Sequence, residues 1–408
     1  MESIYIKGGT PLRGTVDIGG SKNAALPILY ATLLVGGTSR IDNLPNIKDV
    51  NVTLDILRGF GASIARDGDT VFINTDGISY SVPSPELVSE LRASSYLLGA
   101  CLAAFGKARI QNFGGCNFDT RPIDMHLGAI CALGGRVNGK LITAKKLVGQ
   151  DIIFPKISVG ATVNAILLSA TAKGETNIYN PATEPHIGAL ADFLNSAGAD
   201  IRISEGRIRV VGKPLSNASA RVIPDMIEAG TFLICSLVSG GEVTVRGANP
   251  DHLTTPLDLL SSAGASVSVT ADGIKVLAEQ LPPLSIHTAP YPGFPTDLQP
   301  QTAALMAAFS GGDITEGVWQ NRFGYLEEFE KLGVRSESLP GGARIYPSRI
   351  KGARVRAPDL RAGAAEVILA IGAEGESVIE NASCIRRGYS DLTKKLRSLG
   401  AQIEYRKK

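Results

Sequence analysis

The sequence predicts an α/β protein of two lobes, each built from three repeats of about 68 residues. One recurring element is an apolar helix pattern that ends at glycine and leads into an alternating strand pattern; the glycines are Gly61, Gly134, Gly198, Gly264, Gly333 and Gly400. A second is a short strand that closes at Asn43, Asn112, Asn180, Gly247, Gly317 or Asn381. A glycine directly after an apolar helix favours a left-handed C-cap, and alternation favours a strand. Both elements recur every 64 to 73 residues along the 408-residue chain, which indicates six copies of one unit.

Each copy is predicted to contain a helix, a strand, a second helix and two further strands. The first helices, such as 161–172 and 303–310, are apolar on nearly all sides, which is typical of helices buried in a core. The repeat match is weakest between Gly212 and Pro224, so the boundary is placed there. We therefore expect one lobe at 21–223 and a second lobe that combines 1–20 with 224–408.

The composition excludes several classes of protein. Lys and Arg total 41 against 39 Asp and Glu, a formal charge of +2 without a basic face, which disfavours nucleic acid as a partner. No run approaches the roughly 18 apolar residues of a membrane span, and the N-terminus lacks the segments of an export signal. The five cysteines and four scattered histidines lack metal-site spacing, and no glycine-rich phosphate loop is present. These observations predict a cytoplasmic enzyme without metal or cofactor, with its histidines at the surface or behind the site.

The starts of the first helices differ from copy to copy, whereas their apolar bodies are alike. They carry Lys22, Arg92, Ser158, Asp225, Asp297 and Asp359. A helix N-terminus has partial positive charge and free N–H groups, and an added cation there would favour anion binding. Each aspartate is equally typical of an N-cap, and each cation of a solvated surface charge. From the residues alone, both interpretations stay open.

Cys116 differs from the other cysteines because it lies in a polar, glycine-containing loop, with Arg121 following. A thiol near a guanidinium can have a lowered pKa and act as a nucleophile or an acid. The loop by itself leaves open whether Cys116 is functional. Cys101, Cys131 and Cys235 fall within apolar helix patterns and are expected to be inert core residues.

Several short strings along the whole chain carry a family resemblance. They are Gly20–Pro27, Gly114–Cys116, Arg121–Asp124, Ser158–Thr162, Pro292–Asp297, Asn321–Phe323, Asp359–Ala362 and Arg387–Tyr389. In this order they resemble the UDP-N-acetylglucosamine 1-carboxyvinyltransferases, a group of enolpyruvyl transferases. The resemblance implies two inside-out α/β barrel domains, each of three repeats around buried helices.

The resemblance also implies an activity and its substrates. The enolpyruvyl group of phosphoenolpyruvate passes to the 3'-hydroxyl of UDP-N-acetylglucosamine by addition–elimination, and phosphate is released. This is the first committed step of peptidoglycan precursor synthesis. Cys116 would protonate C3 of phosphoenolpyruvate and could also form a covalent adduct, and Asp297 would take the hydroxyl proton. The family's loop cysteine is alkylated by the epoxide fosfomycin, and the same is expected of Cys116.

The resemblance assigns further residues by motif match. The catalytic set is Cys116, Asp297, Lys22 and Arg387. Phosphoenolpyruvate would be bound by Lys22, Asn23, Arg121, Arg322, Arg361 and Arg387. The UDP-sugar would contact Asn23, Arg92, Arg121, Pro122, Ile123, Asp124, Met125, Lys156, Ser158, Val159, Asp297 and Val318. Asp49 and Asp359 would lie behind these residues.

One departure from the family pattern lies in the cysteine loop. Phe118 and Asp119 stand where the family usually has Ile-Gly, and the carboxylate of Asp119 should raise the thiol pKa and slow adduct formation. Two other functions therefore remain in view. One is a weak or silent paralogue that binds the UDP-sugar, and the other is the sister transferase that acts on shikimate 3-phosphate.

Overall fold

The computed structural model describes residues 2–114 and 122–407. The chain divides into two compact units. The N-terminal unit runs from Gly20 to Ile223, and the C-terminal unit combines the residues up to Gly19 with those from Pro224 onward. None of the helices within the described ranges has both the length and the apolar surface that a membrane crossing requires.

Helices and short strands alternate along the chain. The helices are α1 (Lys22–Ala31), α2 (Lys48–Gly59), α3 (Pro85–Glu90), α4 (Leu97–Phe105), α5 (Asp124–Ala132), α6 (Val159–Ser169), α7 (Pro185–Ser196), α8 (Met226–Val238), α9 (Thr254–Ser262), α10 (Gln299–Ala308), α11 (Leu326–Lys331), α12 (Leu360–Gly372) and α13 (Leu392–Ser398). The strands are β1 (Glu2–Lys7), β2 (Arg13–Asp17), β3 (Thr38–Asp42), β4 (Ser63–Asp67), β5 (Thr70–Asn74), β6 (Lys107–Arg109), β7 (Arg136–Asn138), β8 (Leu141–Thr143), β9 (Ile152–Ile153), β10 (Glu175–Tyr179), β11 (Asp200–Ser204), β12 (Arg207–Val211), β13 (Ser219–Arg221), β14 (Glu242–Arg246), β15 (Ser266–Thr270), β16 (Gly273–Leu277), β17 (Leu284–Thr288), β18 (Gly312–Glu316), β19 (Arg335–Leu339), β20 (Gly342–Tyr346), β21 (Arg354–Arg356), β22 (Glu376–Glu380) and β23 (Gln402–Lys407).

The repeat is clearest in the middle of the C-terminal unit. Strands β17 and β18 are parallel and joined by the buried helix α10. Helix α11 then leads to β19, which forms an antiparallel hairpin with β20, so the sheet order is β17-β18-β20-β19. Four other sheets have the same pattern, and β6, β8 and β7 form a three-stranded sheet. The repeat therefore begins with a parallel edge strand that the sequence analysis missed, because these strands are only two to five residues long.

The ends of each unit complete its repeats. In the C-terminal unit, β1 lies between β22 and β23 and is antiparallel to both, while β2 pairs in parallel with β14. In the N-terminal unit, the late strand β13 pairs in parallel with the early strand β3. Each unit thus contains three sheets among the described residues, and none of these sheets closes on itself into a hydrogen-bonded barrel.

The predicted buried helices are confirmed. Helices α8, α10 and α12 pack against one another, and every residue between the two ends of each helix is buried. Helices α1, α4 and α6 are the corresponding apolar helices of the N-terminal unit. Helix α6 begins at Val159, directly after the predicted start residue Ser158, and α10 begins at Gln299, two residues after the predicted start residue Asp297. The apolar stretches 161–172 and 303–310 overlap the bodies of these two helices.

The six marker glycines confirm the predicted left-handed helix ends. Their φ angles lie between 90° and 106°. Four of the six closing residues also have positive φ, but Asn112 and Gly317 do not. Gly317 is required for another reason, since a Cβ there would lie 2.4 Å from the Thr288 carbonyl oxygen. A close approach of two backbones therefore fixes glycine at position 317.

Glu366 on α12 is fully buried, and neither of its carboxyl oxygens has a hydrogen-bond partner among the described residues. Burial, and then the charges of Glu328 and Asp359, raise the pKa of Glu366 well above its ordinary value of 4.5, against a smaller opposing effect of Lys331. The carboxyl group is thus neutral in the folded state and ionised in the unfolded state above pH 4.5. The contribution of Glu366 to folding stability is therefore fully present below that pH and is lost as the pH rises through the folded-state pKa of this group.

We expect Glu366→Leu to raise the free energy of unfolding by about 1–3 kcal/mol. The gain should be larger at pH 8 than at pH 5, because only the wild type must protonate this group to fold. Urea unfolding at both pH values measures the difference. Glu366→Gln is the matched control, since it removes the titration but keeps a buried polar group. The same pH dependence in wild type and Glu366→Leu would contradict the assignment.

Candidate active site

Lys22 is the first residue of α1, where the Ser21 side chain caps the helix by accepting a hydrogen bond from the Ala24 N–H at 3.4 Å. The Nζ atom of Lys22 lies 2.7 Å from Oδ2 of Asp49, in the first turn of α2. The two side chains are only 13% and 3% exposed, so Lys22 is not a solvated surface charge. Asn23 follows it on α1 and is half-buried. The structure therefore brings Lys22 and Asp49 together as a sheltered ion pair at a helix start.

The segments to which the family resemblance assigns UDP-sugar binding lie at the starts of two packed helices, α5 and α6. Pro122 and Ile123 precede α5, and Asp124 and Met125 are its first residues. Lys156 precedes α6, Ser158 caps it by accepting the Ala161 N–H at 3.4 Å, and Val159 is its first residue. Arg92 is half-buried and opens the short 3₁₀ turn to Tyr96. Cys116 and Arg121 lie outside the described residues.

His126, on α5, packs against the start of α6, a contact that was not predicted from the sequence. It is buried, and a Cβ at Gly160 would lie 2.5 Å from its Nε2 atom. Burial, and then the positive charge of Arg92, lower the pKa of His126 to about 4, against a smaller opposing effect of Asp124. His126 is therefore a neutral core residue at pH 7, rather than an exposed one. The second residue of α6 is Gly160, and the absence of a side chain there leaves room for the His126 ring.

Asp297 lies in the C-terminal unit, in the 3₁₀ turn Thr296–Leu298 that precedes α10, and it contacts two buried arginines. Nη1 of Arg322 is 3.0 Å from Oδ1 of Asp297. Nε and Nη2 of Arg361 are 3.1 and 2.9 Å from Oδ2. Both arginine side chains are 4% exposed, whereas that of Asp297 is 28% exposed. The carboxylate thus contacts two cations, while part of the Asp297 side chain remains accessible.

The two arginines determine the charge of Asp297. Burial alone would raise the pKa of Asp297, but Arg361 and Arg322 outweigh it and hold this pKa well below its ordinary value of 3.8. Burial disfavours the charge on Arg361, but Asp297 outweighs that effect and raises the pKa of Arg361. Asp297 is therefore a carboxylate at neutral pH, as proton acceptance requires, although its basicity is weak while both arginines bind it.

The N-cap interpretation applies to two of the three aspartates. Oδ1 of Asp225 accepts the Ile227 and Glu228 N–H groups at the start of α8. Oδ1 of Asp359 accepts the Arg361 and Ala362 N–H groups at the start of α12, at 2.7 and 3.1 Å. Asp359 thus fixes the helix turn from which the side chain of Arg361 extends to Asp297.

The structure places Tyr389 beside the arginine cluster, two positions after the predicted site residue Arg387. The Arg361 guanidinium lies 5.5 Å from the ring centre of Tyr389, a cation–π distance. The buried hydroxyl of Tyr389 is 2.8 Å from Oγ1 of Thr231 and 3.2 Å from Nε2 of Gln301. Arg387 is half-buried and ends the 3₁₀ turn Ala382–Arg387, which packs on α12. The aromatic support of Arg361 by Tyr389 was not predicted.

A model of the EPSP synthase (3-phosphoshikimate 1-carboxyvinyltransferase) family matches residues 6–407. The chain belongs to this family of enolpyruvyl transferases. It is accordingly an enzyme of the transferase class.

Relatives within the family are similar over their full length. A UDP-N-acetylglucosamine 1-carboxyvinyltransferase 3 of Caldanaerobacter subterraneus is 41% identical over 413 residues, with 99% of both chains covered. A UDP-N-acetylglucosamine 1-carboxyvinyltransferase of Clostridium botulinum is 41% identical over 415 residues, again with 99% of both chains covered.

Solved structures of enolpyruvyl transferases have the same fold. The enolpyruvyl transferase NikO from Streptomyces tendae superposes with a TM-score of 0.89 at 27% identity, covering 99% of both chains. EPSP synthase from Acinetobacter baumannii superposes with a TM-score of 0.77 at 18% identity, covering all of both chains, which supports the fold alone. The predicted α/β class, with repeats around buried helices, is thus confirmed.

The cysteines of this enolpyruvyl transferase do not all behave as predicted. Cys101 and Cys235 are buried, and burial raises the pKa of both thiols, so they are inert core residues as expected. Cys131 is exposed, so its prediction as a core residue was wrong. It is the eighth residue of the nine-residue α5, whose apolar residues are not confined to one face. Within the described ranges, no three His, Cys, Asp or Glu side chains lie close enough to hold a metal ion.

Proposed function

We propose that this chain transfers the enolpyruvyl group of phosphoenolpyruvate to the 3'-hydroxyl of UDP-N-acetylglucosamine and releases phosphate. The observation that carries the proposal is the roughly 40% identity, over the full length, to relatives named for this reaction. The cluster of Asp297 with Arg322 and Arg361 supports it, since the reaction needs a carboxylate for a hydroxyl proton and cations for two substrate anions.

The proposed reaction has two steps, an addition and an elimination. In the addition, the 3'-oxygen forms a bond to C2 of phosphoenolpyruvate, its proton passes to Asp297, and Cys116 gives a proton to C3. In the elimination, the bond between C2 and the phosphate oxygen breaks and its electron pair leaves with phosphate. C3 returns a proton to the Cys116 thiolate, which restores the double bond and the thiol, and the proton held by Asp297 passes to the departing phosphate. Phosphate leaves and the enolpyruvyl ether remains. Both carboxylate and phosphate of phosphoenolpyruvate stay anionic throughout, so cations are needed at each stage.

Phosphoenolpyruvate is bound by cations and by one side-chain amide. Lys22, Asn23, Arg121 and Arg387 bind phosphoenolpyruvate together with Arg322 and Arg361. The UDP-sugar contacts Asn23, Arg92, Arg121, Pro122, Ile123, Asp124, Met125, Lys156, Ser158, Val159, Asp297 and Val318. Asp49 orients Lys22 through their 2.7 Å contact.

Substrate binding tunes the basicity of Asp297. An anion that binds Arg322 and Arg361 shares their charge with Asp297, which weakens the two ion pairs and raises the pKa of Asp297. The carboxylate then becomes a stronger base only when phosphoenolpyruvate is in place. Because the proposed substrates are a phosphorylated acid and a sugar nucleotide, we place the reaction in the cytoplasm, at the first committed step of peptidoglycan precursor synthesis and hence of cell-wall growth and division.

The test is phosphate release from phosphoenolpyruvate with each of two acceptors. We expect release with UDP-N-acetylglucosamine, none with shikimate 3-phosphate, and loss of turnover in Cys116→Ser. Release with shikimate 3-phosphate alone would establish the sister activity instead. Binding of the UDP-sugar without turnover, followed by emission of the single tryptophan, Trp319, would identify a silent paralogue.

A further inference from the structure

Glu316 is a buried carboxylate at the end of β18, and no motif assigned it a role. Its neighbour across the parallel strand pair is Thr288, the last residue of β17. The carboxyl ends of two parallel strands therefore meet at Glu316. Immediately afterwards the chain enters the loop that contains Val318, and the turn with Asp297 begins at Thr296.

Glu316 accepts hydrogen bonds from the loop that follows it. Its Oε1 atom accepts the Val318 N–H at 3.0 Å, the Trp319 N–H at 2.9 Å and the Thr288 hydroxyl at 2.5 Å. The Thr288 hydroxyl oxygen in turn accepts the Gly317 N–H at 3.0 Å. Three consecutive backbone N–H groups are thus held by one carboxylate and its threonine partner, which fixes the path of residues 317–319.

The second carboxylate oxygen connects Glu316 to the arginine cluster. Oε2 accepts the Thr296 hydroxyl at 3.1 Å, and the Thr296 oxygen accepts from Nη1 of Arg322 at 3.0 Å. A hydroxyl has a single proton to donate, so its donation to Glu316 leaves the oxygen lone pairs for Arg322. The same Nη1 atom donates to Asp297 at 3.0 Å. The carboxylate of Glu316 therefore sets the direction of a hydrogen-bond chain that ends at Asp297.

We propose that Glu316 is a positioning residue for enolpyruvyl transfer. Through its two oxygens it holds the backbone of Gly317–Trp319 and sets Arg322, through Thr296, against Asp297. This inference deepens the proposed function and rests on it for the identity of the reaction. Glu316 does not touch the reacting atoms; it fixes the groups that do.

Two substitutions cut the same chain at different points. Glu316→Gln retains one acceptor oxygen for the loop N–H groups but turns a donor toward Thr296, and Thr296→Val removes the connecting hydroxyl. We expect each to lower kcat by about tenfold while changing the KM for the UDP-sugar by less than about twofold. The double variant should resemble either single variant, because the two changes break one interaction. Asp313→Asn is the matched control, since it removes an exposed carboxylate from the same strand.

A readout that needs no turnover is amide hydrogen exchange in Glu316→Ala. We expect the Val318 and Trp319 amides to exchange at least about tenfold faster than in the wild type, while the urea midpoint of global unfolding changes little. If these amides exchange faster in Glu316→Ala but the wild type shows no turnover, the result supports the role of Glu316 in holding the loop and rejects the proposed function.

The proposal would be overturned by unchanged exchange in Glu316→Ala, whatever the activity. It would equally be overturned if the wild type turns over and Thr296→Val keeps its kcat. If Glu316→Gln fails to fold, Thr296→Val alone decides the kinetic part. Additive effects in the double variant would show that the two residues act separately and would reject the connecting chain.

Discussion

Replacing Asp297 with asparagine is expected to lower kcat for enolpyruvyl transfer by about 10³-fold, because an amide does not accept the 3'-hydroxyl proton at neutral pH. The measurement is phosphate release at saturating concentrations of both substrates. Asp313→Asn serves as the control, since it makes the same change at an exposed ion pair with Arg344. A kcat of Asp297→Asn within tenfold of the control would contradict the role of Asp297 as the base.

The same substitution has a structural effect that must be measured alongside. Arg322 and Arg361 would lose their shared counter-charge while buried, which we expect to cost about 3 kcal/mol of folding stability. Because the folded-state pKa of Asp297 lies below 3.8, its stabilisation is present above that pH and is lost only as the pH falls further, through the folded-state value. The stability difference should therefore be constant from pH 6 to pH 8, and urea unfolding identifies conditions in which both proteins are folded.

Replacing Arg361 with glutamine is expected to lower kcat/KM by about 10²-fold. It should also move the acid limb of the pH profile of kcat/KM to higher pH. Removing the bidentate partner of Asp297 leaves Arg322 alone to depress the carboxyl pKa, so this pKa rises. The loss of rate reflects one missing cation for the phosphoenolpyruvate anions. The pH dependence of kcat/KM measures the shift, since it reports groups of the free enzyme.

Arg344→Gln is the control for this variant, because it removes an equivalent arginine from an exposed pair on the same unit. It should leave both the rate and the pH profile unchanged. An acid limb of Arg361→Gln that coincides with that of the wild type would mean that Asp297 does not determine the limb. A reduced rate with unchanged profile would then assign Arg361 to substrate binding alone.

The repeat could be predicted from the sequence because it depends on local chemistry. A glycine such as Gly61 or Gly264 is needed wherever a helix ends in the left-handed conformation, and all six markers adopt it. The first helices could be predicted as buried because apolar side chains surround them, as α8 and α12 confirm. The start of α6 could be predicted as well, because Ser158, where the apolar pattern begins, is its capping residue.

The family could also be predicted, because short motifs around Cys116, Asp297 and Arg387 survive in order along the chain. The same motifs named Arg322 and Arg361 without indicating what they contact. The helix-start pattern by itself gave Asp225, Asp297 and Asp359 equal status, and the resemblance then singled out Asp297 as the base. The structure adds that Asp225 and Asp359 cap helices, whereas Asp297 contacts two arginines.

What the sequence by itself determined is therefore the repeat, the buried helices and the family, all of which depend on neighbours along the chain. The tertiary structure decided which charges meet: Asp297 with Arg322 and Arg361, across 25 and 64 positions of sequence. It also decided that Glu316 joins this cluster through Thr296. The physical reason is that the pKa of a carboxylate and the orientation of a guanidinium depend on atoms within a few ångströms, and folding brings those atoms together from distant segments.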